Sequence, residues 1–207
     1  MGAAQANEQL SNQFIEGVAD KRVAKKLAKA VAALHCSQMD VSFNTEARDC
    51  MIDLFPSFRS NMLKLGQGSS RASKTAVELG KEYVSEIWDN VEASHRSTDV
   101  PCNADLHAFN VLVEGKPDVS VLQRFGDEGS FVICDWEMAM VGPLGLDIGR
   151  LYSIPVAYIV AHALSGHEHV THHLIEYMNL VWSEYASEMR NLGGKDDLTT
   201  HYRNVLG

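Results

Sequence analysis

A chain of 207 residues, 45% hydrophobic and 22% charged, has the balance of a globular protein with a buried core, built as one large domain or two small ones. A net charge of -9 with no long Lys/Arg block argues against a nucleic-acid-binding surface. The longest apolar run, residues 154–164, contains His162 and falls short of the ~18 residues that span a bilayer, so no membrane span is expected.

In chain order, residues 1–7 are small and polar and read as a disordered tail. Across 8–36, Leu10, Phe14, Val23, Leu27, Val31 and Leu34 recur at helical spacing, with Gly17 and Asp20 dividing the pattern into two helices. Lys21, Arg22, Lys25, Lys26 and Lys29 form the solvated side of the second one. Short helical pieces follow in 37–60. Residues 66–70 (GQGSS) read as an interhelical turn, because no strand pattern precedes them and no G-x-x-x-x-G-K-[ST] is present. A further amphipathic helix is expected over 74–92, with Val77, Val84, Ile87, Trp88 and Val91 as its buried stripe.

The period then changes. Segments 110–114, 120–125 and 130–135 are short, rich in β-branched and aromatic residues, and separated by turn sequences, which predicts a small antiparallel sheet. Past Gly149 the pattern is helical again: an apolar, buried helix over 151–164 with Pro155 in its first turn, ended by Gly166, and another over 170–191, stopped by Gly193-Gly194. The fold class expected is α+β, mainly helical. A single unit over 8–207 divides into a helical floor (8–95), loops with a small sheet (96–149) and C-terminal helices (150–192). Cys36, Cys50, Cys102 and Cys134 show no C-x-x-C spacing. With no apolar leader and no N-x-[ST] site, they predict free thiols and a cytoplasmic location.

The chemistry-bearing stretch is 102–149. It holds Asp105 and Asn110 in D-x-x-x-x-N spacing, then Asp135 and Glu137 after the apolar run 131–134, then Asp147 in a Gly/Pro-rich segment. Phosphoryl transfer from ATP needs few covalent partners and strict placement: a carboxylate to orient the attacking hydroxyl, and carboxylate and amide oxygens to hold Mg²⁺. Asp105 fits the first role; Asn110, Asp135 and Glu137 fit the second. Taken singly, Asp105 and Asn110 are also turn residues and Asp135 a helix cap; the combined spacing is the more specific feature. Asp147, between Gly145 and Gly149, is placed to accept backbone N–H groups. His162, His167, His169, His172 and His173 are crowded, but no acid or cysteine at matching spacing completes a zinc site, and they read as a polar helix-entry surface.

The segment ADLHAFNVLV (104–113) resembles the catalytic loop of the aminoglycoside phosphotransferase and choline kinase superfamily, which shares its core with protein kinases. CDWEMAMVGPLGLDIG (134–149) is similar to the methylthioribose kinase branch of that superfamily. The resemblance implies a kinase-like C-lobe that uses ATP and Mg²⁺ to phosphorylate a hydroxyl of a sugar-like small molecule. It makes Asp105 the catalytic base, Asn110, Asp135 and Glu137 the metal ligands, and Asp147 the brace of the catalytic loop. Trp136, Arg150 and Tyr152 become candidate substrate contacts.

Two departures stand beside it. The loop opens with Asn103-Ala104 where the superfamily has His-Gly or His-Asn. Upstream, no β-rich N-lobe with a glycine loop and a V-A-I-K-like lysine is legible; Val23-Ala24-Lys25-Lys26 lies in a helical pattern. The chain therefore reads as a C-lobe whose N-lobe is absent, encoded upstream, or supplied by a partner chain. The alternative expectation is a truncated, non-catalytic kinase-like module that binds a partner.

Overall fold

The computed structural model describes residues 7–15, 20–41, 44–50, 52–54, 56, 80–96, 99–114 and 131–193. They form a mainly helical α+β arrangement with two small antiparallel sheets. The 66–70 turn, the 120–125 strand and most of the expected 1–7 tail lie outside them.

Two helices form the centre of the core. Helix α2 (Lys21–His35) starts at Asp20, whose carboxylate accepts the Arg22 N–H at 2.8 Å and satisfies one of the first-turn donors. Its buried face is Val23, Ala24, Leu27, Ala28, Val31, Ala32 and, at the end of the same stripe, His35. It packs against the last helix, Glu168–Asn191, which buries Leu174, Tyr177, Val181, Tyr185 and Met189 at spacings of three and four. Lys21–Glu176 and Lys25–Glu184 ion pairs bridge the two helices at the solvent side.

A three-stranded sheet has the order β1 (Asn7–Gln9), β3 (Val111–Glu114), β4 (Phe131–Ile133). Val111 and Val113 face the core, and Leu112 points the other way, as the two-residue period requires. A two-stranded sheet pairs β2 (Val100–Cys102) with β5 (Met140–Gly142). The first strand differs from the expected helical start at Glu8. Asn7, Glu8 and Gln9 carry no strand pattern of their own, but they lie along the open edge of β3, where their backbone groups find partners. The helical pattern begins at α1 (Leu10–Ile15), with Leu10 and Phe14 fully buried.

Two more expectations are corrected. In the helix preceding β2, α3 (Lys81–His95), three members of the stripe assigned to it are not buried as expected: Ile87 is 41% exposed, while Trp88 and Val91 are half-buried; Val77, with the expected start at 74–79, lies outside the described residues. Helix α4 runs Leu146–Leu164, so it starts five residues before the expected 151 and includes the Asp-Ile-Gly turn. Gly149 continues the helix, donating to Gly145 O at 2.9 Å, because Leu146, Ile148 and Leu151 gain a buried face by doing so. Pro155 thus sits in the helix interior, where it leaves a carbonyl one turn earlier without its N–H. Only the first half of α4 is buried; Val156 (44%), Val160 (52%) and Leu164 (56%) are exposed. Gly166, at φ +75°, ends the helix, with His167 N–H bonded to His162 O and Gly166 N–H to Ala163 O, the paired closure of a left-handed C-terminal glycine. The last helix, α5 (Glu168–Asn191), follows directly and packs on α4. Among the described residues no helix is long and apolar enough to cross a membrane.

Candidate functional site

The segment from β2 to β3 folds as a tight loop around Asp105. Its entry is held from below by Asp147, in the first turn of α4. Asp147 is fully buried and accepts the backbone N–H of Asn103 at 2.9 Å on one oxygen and that of Ala104 at 2.8 Å on the other. Asn103, also fully buried, accepts the Asp105 N–H at 3.2 Å and donates its amide nitrogen to Asp135 O at 3.1 Å. One side chain thus joins the loop of Asp105 to the loop of Asp135.

Asn110 closes the Asp105 loop. Its side-chain nitrogen donates to Asp105 O at 3.0 Å and to the Asp105 carboxylate at 3.3 Å, and its own carbonyl accepts from Cys134 N–H at 2.8 Å. With the nitrogen engaged, the side-chain oxygen is the atom Asn110 can offer a cation. His107 Nε2 lies 3.5 Å from one Asp105 oxygen and Arg150 3.9 Å from the other, so the carboxylate stands among donors with about a third of its side chain exposed. Asp135 and Glu137 are exposed at the end of β4. Trp136 between them is half in solvent and donates its indole N–H to Ile133 O at 2.9 Å. Tyr152 stands apart: it is buried, and its hydroxyl donates to Met178 O at 2.7 Å.

Backbone strain marks the same two loops. Among the described residues the non-glycine residues with positive φ are Ala104 (69°) and Asp135 (57°). Each such conformation costs about 1–3 kcal/mol and persists where the surroundings over-determine it.

Sequence reasoning missed His35. It lies in the α2–α5 interface with its side chain fully enclosed, Nε2 3.2 Å from Asp147 and Nδ1 2.7 Å from the Tyr185 hydroxyl. Since Asp147 can only accept, Nε2 carries the hydrogen; in the neutral ring Nδ1 then accepts from Tyr185. Burial, with the nearby Cys102 and Asp147, holds the Tyr185 hydroxyl far above its ordinary value, so it keeps its proton. The signal for His35 was its register: it falls four residues after Val31, in line with a stripe that is otherwise apolar.

His35, Cys102 and Asp147 are also the group of possible metal ligands whose atoms approach one another within 4.8 Å among the described residues. The chemistry argues against a metal there. Burial, reinforced by Asp147, pushes the Cys102 thiol well up, and Asp147 is already occupied by three donors. Asn110, Asp135 and Glu137 are an all-oxygen set of the kind a hard cation takes. Mg²⁺ typically uses one or two protein carboxylates and completes its shell with phosphate and water, so these residues fit it.

No family model matches the chain. Its sequence is 25% identical over 126 residues to the methylthioribose kinase of Bacillus velezensis, a match covering 61% of this chain and 30% of that protein. The chain thus spans less than a third of that relative's length. The likeness is distant, and it is to a kinase that acts on a small molecule.

Proposed function

We propose that this chain is the catalytic part of a small-molecule kinase of the methylthioribose kinase and aminoglycoside phosphotransferase type, built as a kinase-like C-lobe. Asp105 orients the acceptor hydroxyl and takes its proton. Asn110, Asp135 and Glu137 hold Mg²⁺, which when bound with ATP supplies positive charge against the phosphate oxygens. Arg150, whose guanidinium reaches toward Asp105, and the exposed Trp136 contact the acceptor, a sugar-like molecule. Tyr152 anchors α4 to α5 rather than touching substrate. A lobe or partner chain that covers the nucleotide completes the site.

The observation that carries this reading is the network from buried Asp147 through Asn103 to both Asp105 and Asp135, with left-handed backbone at Ala104 and Asp135. The test is ³¹P NMR of Mg-ATP with a panel of sugar acceptors that includes methylthioribose. Asp105→Ala lowers turnover at least about 100-fold, the scale of a lost general base. It shifts stability by less than about 1 kcal/mol, because this partly exposed carboxylate has only long side-chain contacts, 3.3 Å to Asn110, 3.5 Å to His107 and 3.9 Å to Arg150. A folded protein that neither binds Mg-nucleotide nor transfers phosphate to any acceptor overturns the reading.

A second reading, a non-catalytic module that docks a partner, is favoured by the exposed Val156, Val160 and Leu164 along one side of α4. Loss of nucleotide binding with the fold intact favours it over the first.

A further inference from the structure

Asn44 belongs to none of the motifs in the sequence. It stands just before the helical residues 45–50, half-buried, with its own N–H on Val41 O at 3.2 Å. Its side-chain nitrogen donates to Glu137 O at 3.0 Å and to Ala139 O at 2.8 Å, across 93 and 95 residues of chain. Both acceptors are carbonyls, so the atom facing them must be the NH₂, and the amide orientation follows from chemistry. Aspartate, the isosteric alternative, would turn an acceptor toward two acceptors.

The turn that Asn44 grips carries Glu137. It follows the left-handed Asp135 and contains one short-range backbone bond, Ala139 N–H to Trp136 O at 3.0 Å. On its other side Asn103 holds Asp135 O. Two amides, from two distant parts of the chain, thus hold the acidic turn at both ends. The geometry points to Asn44 as a positioning residue for the Asp135–Glu137 cation site: by binding both carbonyls it sets where the Glu137 carboxylate stands. The inference rests on the reading of that pair as cation ligands. Its first consequence, the order of the turn, does not.

The test uses the whole chain as wild type, Asn44→Ala, Asn44→Asp and the control Glu137→Gln. Amide hydrogen exchange of residues 134–140 reports the turn, and Mn²⁺ binding followed by water-proton relaxation reports the site. Asn44→Ala speeds exchange of the Ala139 N–H at least about tenfold and weakens Mn²⁺ at least about fivefold, as Glu137→Gln also does, while exchange in α2 and α5 stays unchanged. Asn44→Asp, read by exchange alone because its charge also attracts cations, loosens the turn at least as much, and stands in should the alanine variant not fold. Unchanged exchange in the turn overturns the proposal whatever the site binds. Faster exchange with Mn²⁺ affinity kept within twofold overturns it too, since the role is then only structural. If the turn loosens but the wild type binds no Mn²⁺, the reading of Asp135 and Glu137 as ligands has failed and the cation role falls with it.

Discussion

Asp147→Asn exchanges one side-chain oxygen for an NH₂ with almost no change of shape, inside a site that solvent does not reach. The carboxylate accepts three hydrogen bonds: Ala104 N–H at 2.8 Å on one oxygen, and Asn103 N–H at 2.9 Å with His35 Nε2 at 3.2 Å on the other. An amide has a single accepting oxygen. Turned to serve the more loaded side, it leaves Ala104 N–H facing an NH₂. A buried donor without a partner costs about 1–3 kcal/mol, and the two surviving bonds lose their charge assistance, roughly another 1 kcal/mol together. The expected loss is about 2–4 kcal/mol, a large share of the roughly 5–15 kcal/mol of a typical domain. Urea unfolding followed by circular dichroism measures it. With a slope of about 2 kcal/mol per molar, the midpoint falls by about 1–2 M. A change below about 0.5 kcal/mol would refute the claim that this carboxylate holds the loop, since no rearrangement of one amide can serve three donors.

Asp20→Ala removes the cap of α2 and lowers stability by about 1 kcal/mol in the same assay. Burial pushes the Asp20 carboxyl up, but the hydrogen bonds and charge of Arg22 outweigh it and hold the group below its ordinary 3.8. A carboxyl depressed in the folded state adds stability that is fully present above its unfolded value and is lost as pH falls through the folded one. The wild-type cap therefore weakens below about pH 4, whereas Asp20→Asn keeps a pH-independent cap, and a titration of the two melts separates them. Tyr177→Phe is neutral or stabilising by up to about 1 kcal/mol: the buried hydroxyl has no hydrogen-bond partner among the described residues, while the ring contact with Phe14, 5.1 Å between centroids, is kept. Calorimetry showing a loss above about 1 kcal/mol would mean the hydroxyl is bonded after all.

The helices of the core were legible because their stripes are local: Val23 to Val31 and Leu174 to Met189 repeat at a spacing that needs no knowledge of the partner. What was not legible depended on the partner. Asn7–Gln9 is a strand because β3 has an open edge 103 to 107 residues further on (Gln9 pairs Leu112, Asn7 pairs Glu114), and nothing in Asn-Glu-Gln announces it. The glycines at 145 and 149 suggested a loop, yet a helix starts directly after Gly145 and runs through Gly149 because Leu146 and Ile148 have a core to enter. The site divides the same way. The spacings Asp105–Asn110 and Asp135–Glu137 could be read directly. The groups that hold those loops come from residues 112 positions away, for His35 to Asp147, and 93 and 95 positions away, for Asn44. A hydrogen bond closed over such a distance leaves no periodicity.

The departure at Asn103-Ala104 acquires a physical reason from these contacts. Position 103 accepts from Asp105 N–H and donates to Asp135 O, so it needs one acceptor and one donor on a short, buried side chain. Asparagine has both, as does a neutral imidazole, so an Asn where the resembled superfamily carries His preserves the connection between the two loops. Position 104 is left-handed, where glycine is free of strain and alanine is not. Alanine is held there by the Asp147 bond to its N–H. The costly features of the fold, a buried His–Asp pair and two strained residues, thus gather around Asp105 and Asp135, while the core around them is almost wholly apolar. Packing alone does not call for them, because a buried polar contact is commonly matched or bettered by hydrophobic residues of the same volume. The proposed role of Asp105 and Asp135 accounts for their concentration at one loop pair, because it requires the two carboxylates to be held in fixed places.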